Sequence, residues 1–210
     1  MRLLLLGATG RTGRELLLQA LAQGHQLTAL ARDPGRLAVR DEHVHAIAGS
    51  PSDSAAIHAA LEGQEAVLCT LGPRSPKALL AFDLMQATVE ALVPSMQAQR
   101  VGRIVMLSAL GAGQSAAHAP AASRLMFRTL FRQVGKDKAI AEAMLEDSGL
   151  DWTVVYPPSL TNGPRTGSYR HGQAMKVRGV PRISRADVAE FMLAQLTDPS
   201  YVRRSAIISS

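Results

Sequence analysis

The sequence predicts one α/β domain with a doubly wound parallel sheet and helices on both faces. Three observations favour this class: short apolar runs alternate with helical patterns, glycines separate the first run from the first helix, and only 4% of residues are aromatic. Alternating strands and helices are typical of βαβ units. A core of Leu, Ala and Val suits parallel strands that are buried on both faces. At 210 residues the chain is long enough for one large core, so a single domain is expected over residues 1–210.

Composition excludes several classes of protein. With 47% hydrophobic and 19% charged residues, the chain has enough apolar surface to fold. Cys69 is the only cysteine, which rules out an intrachain disulfide and gives no sign of an oxidising compartment. The apolar residues 1–6 are followed at once by glycines and charges, so neither a secretory signal nor a membrane span is predicted. A cytoplasmic protein with no membrane partner is expected.

The formal net charge of +6 raises the question of an anionic partner. The basic residues are scattered and few aromatic residues are present for stacking on bases, so no nucleic-acid partner is expected. An anionic small ligand explains the excess charge equally well. The six histidines show no spacing typical of metal ligands, and no metal site is predicted.

The predicted strands are short apolar runs between turn residues. They cover residues 2–6, 27–31, 44–48, 66–70, 103–108 and 152–156. Helices are predicted where apolar residues recur at helical spacing. They run from the first glycine turn to residue 23, from a cap at Ser52 or Asp53 past Leu61, over 78–99 with a disturbance at Pro94, over 121–132, over 136–147, and from Ser184 past Leu196. Residues 109–120 lack periodicity and predict a mobile loop of the kind that often borders an active site.

Three glycines stand directly between the first strand and the first helix, at Gly7, Gly10 and Gly13. In this context the pattern predicts binding of a dinucleotide. Gly7 permits a tight turn, Gly10 lets the backbone approach a diphosphate, and Gly13 allows the helix to pack closely on the strand. The amides and dipole at the start of the helix favour the phosphates. A Rossmann-type site for a nicotinamide dinucleotide is therefore predicted.

The end of the second strand indicates which dinucleotide binds. An acidic residue there accepts hydrogen bonds from the ribose hydroxyls of NAD, but this chain has Arg32, with Arg36 four residues later. Guanidinium groups suit a ribose 2′-phosphate. Asp33 is the competing acid, and we expect it to cap the turn at Pro34. NADPH is therefore favoured over NADH.

These motifs together resemble the atypical short-chain dehydrogenase/reductases of the NAD(P)H-binding, NmrA-like family. The greatest likeness is to flavin reductase/biliverdin reductase B-like proteins, and it extends over nearly the whole chain. The residues that carry it are Gly7–Gly13, Arg32-Asp33, Leu71-Gly72, Ser108-Ala109 and 148–158.

The resemblance implies a set of cofactor contacts. The adenosine and phosphates would be held by Gly7, Thr9, Gly10, Arg11, Thr12, Gly13, Arg32 and Arg36. Leu71 and Gly72 would pass beneath the cofactor, and Ser108 and Pro157 complete the set. Ser50 stands where the family has an acidic residue that contacts adenine, so that contact is weakened or replaced.

Two residues are candidates for catalysis. Ser108 ends the fifth strand, and the resemblance implies that it faces the nicotinamide; alternatively, its hydroxyl bonds a loop amide. Ordinary members of the superfamily have a tyrosine four residues before a catalytic lysine. Lys138 takes the lysine position here, but Val134 replaces the tyrosine. Lys138 either orients ribose hydroxyls or is a charge on a helix surface.

The missing tyrosine limits the chemistry. An unactivated ketone would lack its proton donor, whereas a flavin, quinone or tetrapyrrole delocalises the incoming charge and needs chiefly to be stacked on the nicotinamide. The sequence thus predicts an NADPH-dependent oxidoreductase with a small conjugated acceptor, acting as a monomer or homodimer. Ser159 follows Pro158 where biliverdin-reducing relatives have a histidine, which argues against a tetrapyrrole. The alternative is a non-catalytic NADP(H)-sensing regulator that resembles the NmrA-like proteins.

The substrate side is predicted to come from loops at about 109–135 and 157–180. The helix predicted at 121–132 mixes basic and apolar residues. Two interpretations remain open: the helix covers an anionic aromatic ligand, or it is an ordinary amphipathic surface helix or dimer contact.

Overall fold

Strands and helices alternate along the chain in the computed structural model, which describes residues 1–73, 83–177 and 179–210. The strands are β1 (Arg2–Leu6), β2 (Gln26–Ala31), β3 (Val44–Ala48), β4 (Ala66–Cys69), β5 (Arg103–Leu107), β6 (Asp151–Tyr156), β7 (Ser159–Thr161), β8 (Arg170–Gly172), β9 (Arg182–Ser184) and β10 (Arg204–Ser209). The α-helices are α1 (Arg11–Ala22), α2 (Ser54–Leu61), α3 (Leu84–Ala98), α4 (Ala121–Arg128), α5 (Arg132–Asp147) and α6 (Arg185–Ala194). Short 3₁₀ helices cover Pro34–Arg36, Gly113–Ala117 and Pro199–Tyr201.

The main sheet has the strand order β3-β2-β1-β4-β5-β6-β10-β8. Its pairings are parallel except for β8, which runs antiparallel to β10. The order reverses between β1 and β4, and this reversal creates the crevice in which doubly wound sheets bind their ligands. The predicted Rossmann-type sheet is therefore confirmed.

The run of four leucines in β1 shows why the sheet is covered on both sides. Leu4 and Leu6 belong to a core with α2, α3 and α5, whereas Leu3 and Leu5 belong to a core with α1 and α6. All four are fully buried. A central strand buried on both faces needs apolar residues at every position, and this explains the unbroken leucine run.

The long helix α3 differs from its prediction at its N-terminal end and at Pro94. Residues 78–82 of the predicted span lie outside the described residues, and Asp83 precedes the first residue of α3. The disturbance predicted at Pro94 is wrong, since α3 continues through it to Ala98. Buried Met96, two residues further on, packs in the core although Pro94 cannot donate a backbone hydrogen bond.

The stretch 109–120 is more ordered than the prediction of a loop. It contains the 3₁₀ helix Gly113–Ala117, and Ser115 is buried within it. The Ser115 hydroxyl accepts the Gly111 amide at 2.9 Å and donates to the Ala112 carbonyl at 2.6 Å. Local bonds of this kind order a segment without producing a hydrophobic period, which is why the sequence pattern did not reveal it.

The two helices after this stretch also have different boundaries. α4 ends at Arg128, four residues early, and α5 begins at Arg132, four residues early. Thr129 lies at the break, and its hydroxyl donates to the Leu125 carbonyl at 2.9 Å. Such a bond competes with the helical pattern of the backbone.

The C-terminal region contains strands that were not predicted. β7 and β8 lie within the predicted loop 157–180, of which residue 178 is outside the described residues. β10 extends the main sheet beside β6. β7 and β8 are three residues long and β10 has only three consecutive apolar residues, so none of them shows the apolar run from which the other strands were predicted. Among the described residues no helix has both the length and the apolar character that a membrane span requires.

Candidate functional site

The glycine turn between β1 and α1 leaves no room for side chains at two of its three glycines. A Cβ on Gly7, whose φ is +92°, would lie 2.8 Å from the Thr70 hydroxyl oxygen, and a Cβ on Gly13 would collide with the Gly7 carbonyl oxygen. At Gly10 a Cβ would meet only the Gly7 carbonyl oxygen, at 3.2 Å. Gly7 and Gly13 thus close the turn onto the helix, while Gly10 has a single close neighbour and is the least enclosed of the three.

The N-terminus of α1 is suited to an anion. Gly10 occupies the N-cap position without a side-chain cap, and the first turn contains no acidic residue. The backbone amides at this end and the helix dipole therefore favour a phosphate group. Arg11 is exposed beside them, Thr9 is half-buried, and Thr12 is buried. This geometry fits the diphosphate of a dinucleotide.

Arg185 is a basic residue of this region that the sequence did not point to. It begins α6, and it donates hydrogen bonds to the Asn162 side-chain oxygen at 2.7 Å and to the Leu160 carbonyl at 3.3 Å. Burial lowers its pKa, and the nearby charge of Arg11 lowers it further. The packing of α6 against α1 brings the two guanidinium groups together, and such packing is not visible in the sequence.

The end of β2 matches the arrangement expected for a 2′-phosphate. Arg32 and Arg36 are exposed, and neither forms an ion pair with any residue that the structure describes. Asp33 accepts the Gly35 amide at 3.1 Å and caps the 3₁₀ helix, as predicted. Its carboxylate is therefore engaged with the backbone.

The remaining residues predicted near the cofactor follow the carboxyl ends of other strands. The Ser50 hydroxyl lies 2.9 Å from that of Ser52. Leu71 and Gly72 follow β4 and are half-buried. Pro157 follows β6 and is buried, and its carbonyl accepts the Leu110 amide at 2.8 Å. Since these strands are parallel, all of these positions lie along one edge of the sheet.

A buried hydrogen-bond network lies at this edge beside β5 and β6. Ser108 directly follows β5, is only 5% exposed, and donates its hydroxyl to Glu142 Oε1 at 2.5 Å. Tyr156, the last residue of β6, donates its hydroxyl to Glu142 Oε2 at 2.8 Å. The Ser108 hydroxyl thus donates to a carboxyl group that α5 brings to the end of β5.

Glu142 holds the network together from the middle of α5. It is 2% exposed. Burial raises its pKa, although the hydrogen bonds from Ser108 and Tyr156 and the charge of Lys138 act in the opposite direction. Burial and the charge of Glu142 raise the pKa of Tyr156 in turn. The carboxyl group therefore retains a proton more readily than an exposed glutamate does.

Lys138 lies one helical turn before Glu142. It is 5% exposed, and its ammonium group donates to the Leu107 carbonyl at 3.3 Å. Burial lowers its pKa, and Glu142 opposes this effect. The interpretation of Lys138 as a surface charge is therefore wrong. The signal that sequence reasoning missed is the spacing of Lys138 and Glu142 on the face that also carries Val134, Ala141 and Leu145, all of them buried.

Known proteins provide an independent comparison. Residues 7–199 match the family model described as NAD(P)H-binding. The chain is 30% identical over 213 aligned residues to the (4-alkanoyl-5-oxo-2,5-dihydrofuran-3-yl)methyl phosphate reductase of Streptomyces griseus, covering 99% of this chain and 67% of that protein.

Solved structures have the same fold at lower identity. The anaerobillin reductase ChuY of Escherichia coli O157:H7 superimposes with a TM-score of 0.81 at 21% identity, covering 99% of this chain and 96% of that one. A short-chain dehydrogenase/reductase of Veillonella parvula in complex with NADP gives a TM-score of 0.81 at 19% identity, covering 100% and 94%. At these identities the match extends to the fold alone.

Proposed function

The chain belongs to the NAD(P)H-binding family of oxidoreductases, and we propose that within it the chain is an NADPH-dependent reductase of a small conjugated acceptor. The observation that carries the proposal is the buried Ser108–Glu142–Tyr156 network, which lies at the same sheet edge as the glycine turn. A dinucleotide bound along this edge would extend from the glycine turn to the network.

The residues around the turn account for the choice of cofactor. Bound NADPH supplies a hydride. The amides at the start of α1 hold its diphosphate, and Arg32 and Arg36 hold the 2′-phosphate through charge-assisted hydrogen bonds. Asp33 does not compete for ribose hydroxyls, because its carboxylate accepts the Gly35 amide. These contacts favour NADPH over NADH.

The network beside β5 provides the proton that must accompany the hydride. Burial raises the pKa of Glu142, so its carboxyl group is a proton reservoir. When Glu142 is protonated on Oε1, that oxygen donates to Ser108 Oγ, the reverse of the direction in which Ser108 donates to the carboxylate. The proton then passes from Oε1 to Oγ as the Ser108 hydroxyl proton passes to the acceptor. Tyr156 holds the second carboxyl oxygen in place. Solvent then returns a proton to Glu142, and the acceptor has gained one hydride and one proton, which together are two electrons and two protons.

The nature of the acceptor follows from what occupies position 134. Val134 stands where ordinary members of the superfamily have the tyrosine that protonates a developing alkoxide. A conjugated ring spreads the incoming charge over several atoms and depends less on such a donor. The relative from Streptomyces griseus is named as a reductase of an oxo-dihydrofuran, which supports a small unsaturated acceptor. Flavins and quinones are the first classes to test.

Stopped-flow mixing of the protein with NADPH and a panel of FMN, riboflavin, biliverdin and quinones tests this proposal. We expect the absorbance of the reduced nicotinamide to decay with at least one acceptor, and more slowly when NADH replaces NADPH. Tight binding of NADP⁺ with no decay for any acceptor would contradict catalysis and would instead favour the NADP(H)-sensing regulator.

A further inference from the structure

A pocket of about 190 Å³ opens between the 3₁₀ helix Gly113–Ala117, α4 and α5. We call it the basic pocket, because four of its lining side chains are cationic and exposed. These are Arg124, Arg128, Arg132 and Lys136. They are spaced four residues apart, two in the first helix and two in the second.

The positive charge of the basic pocket is not balanced by the protein. The sequence contains no Asp or Glu between Glu90 and Asp137, and none of the four cations forms an ion pair within 4.0 Å in the described part of the chain. Asp137 is engaged elsewhere, since its carboxylate accepts the amides of Met85 and Gln86 at 3.1 and 2.9 Å. Like charges four residues apart on a helix repel each other, and a bound anion would relieve that repulsion.

The wall of the basic pocket offers an aromatic face. The half-buried ring of Phe127 lies between two glycines: a Cβ on Gly111 would approach its Cδ2 to 2.9 Å, and one on Gly135 its Cδ1 to 3.1 Å. The absence of side chains at these glycines lets the ring fit closely against the backbone. Phe127 lines the basic pocket together with the arginines, so a planar ligand there can contact the ring while a charged group reaches the arginines.

The basic pocket adjoins the proton-donating network. Gly113 lines it, and a Cβ on Gly113 would collide with the Glu142 carboxylate. Glu142 in turn is bonded to Ser108. A ligand held in this pocket therefore lies close to the Glu142 carboxylate, across the backbone of Gly113.

We infer that the basic pocket binds an anionic group of the acceptor, a phosphate or a carboxylate, and that the enzyme selects acceptors that carry one. The inference rests on the proposed function and specifies its substrate class. Guanidinium groups suit this role, because their planar donors match the oxygens of both anions.

FMN and riboflavin form a matched pair of probes, since they share one ring system and only FMN carries a phosphate. Calorimetry with the NADP⁺-saturated protein should show FMN binding roughly tenfold or more tightly than riboflavin, the ratio expected from charge-assisted bonds to the phosphate. The variant R124Q/R128Q should lose this preference and keep its affinity for riboflavin. Arg204→Gln is the control for removal of an arginine charge, because Arg204 is exposed at the opposite edge of the sheet.

Several outcomes would overturn the inference. Equal affinities for FMN and riboflavin, failure of FMN to bind, or equal loss of both ligands in R124Q/R128Q would each do so. Binding to phosphatidylserine vesicles that disappears in R124Q/R128Q, with no change in FMN affinity, would assign the arginines to a membrane surface instead. The vesicle experiment is needed because Leu125 and Leu130 in the same region are 62% and 60% exposed. Exposed apolar side chains next to basic ones are typical of helices that bind a membrane surface.

The inference and the proposed function fail in distinguishable ways. NADPH oxidation that shows no preference for anionic acceptors would preserve the reductase and remove the pocket's role. FMN binding that depends on the arginines, with no NADPH oxidation, would preserve the pocket and remove the reductase.

Discussion

The two ends of the candidate site hold their functional groups by different means. Around the turn between β1 and α1 the ligand-facing groups are backbone amides, and Gly10 and Gly13 are constrained by residues of the turn itself, although Gly7 also meets Thr70. Beside β5 and β6 they are side chains that converge from distant positions, since Ser108 and Glu142 are 34 residues apart. The first end depends on local conformation, whereas the second depends on the packing of α5 against the sheet. Substitutions should therefore affect binding at one end and chemistry at the other.

The largest effect is expected from Ser108→Ala. Removing the hydroxyl breaks the path from Glu142 to the acceptor, and kcat should fall by roughly 10²-fold, the lower range for loss of general acid catalysis. The affinity for NADP⁺ should stay within about twofold, since the diphosphate is held by backbone groups at the other end. Steady-state kinetics and calorimetry measure the two quantities. Ser54→Ala, at an exposed position at the start of α2, is the matched control, and an equal loss of binding and kcat would contradict the division of roles.

Glu142→Gln tests the proton reservoir through pH. In the native protein the proton held by Glu142 is lost as pH rises through its raised pKa, so kcat should decline with rising pH. Glutamine has no such titration, and the variant should be slower by about tenfold and should lack this limb of the profile. A variant that is slow but retains the wild-type profile would show that Glu142 only positions Ser108.

The same substitution has a consequence for stability. A carboxyl whose pKa is higher in the folded than in the unfolded protein stabilises the fold at low pH, and this contribution is lost as pH rises through the folded-state pKa. Glu142→Gln should therefore reduce the decline in the free energy of unfolding over that range. Urea unfolding at a series of pH values measures the difference, and parallel curves for the two proteins would contradict it.

Gly13→Ala addresses the other end of the site. The added methyl group would collide with the Gly7 carbonyl, and overpacking of this kind costs about 1–3 kcal/mol. NADPH and NADH should both bind about tenfold more weakly, because the turn must open. Gly102→Ala is a suitable control, since a Cβ there has no neighbour within 4 Å. Retained affinity for both dinucleotides in Gly13→Ala would argue against the turn as their site.

Arg32→Ala should have the smallest effect, restricted to one cofactor. Loss of a guanidinium contact to the 2′-phosphate should weaken NADPH by about tenfold, while NADH, which lacks this phosphate, should change by less than about twofold. Calorimetric titration of both dinucleotides measures the difference. Equal losses for the two would refute the phosphate role of Arg32.

The difference between the two ends of the site also explains how much of it could be predicted from the sequence. The turn at Gly7–Gly13 and the cap at Asp33 depend on neighbours a few residues away, so both are visible in the sequence. Glu142 was missed because a glutamate on a helix is usually exposed, and only the packing of α5 shows that it faces Ser108. Lys138 was ambiguous for the same reason. β10 escaped prediction because it contains only three consecutive apolar residues, at 206–208.

Gly113 has a left-handed backbone conformation, with φ of +48°, and lies directly against the Glu142 carboxylate. A methyl group at this position would take the space of a carboxylate oxygen and displace the Glu142 side chain. Because Gly113 also lines the basic pocket, the missing side chain at this one residue lets the pocket and the carboxyl group lie on two sides of the same stretch of backbone.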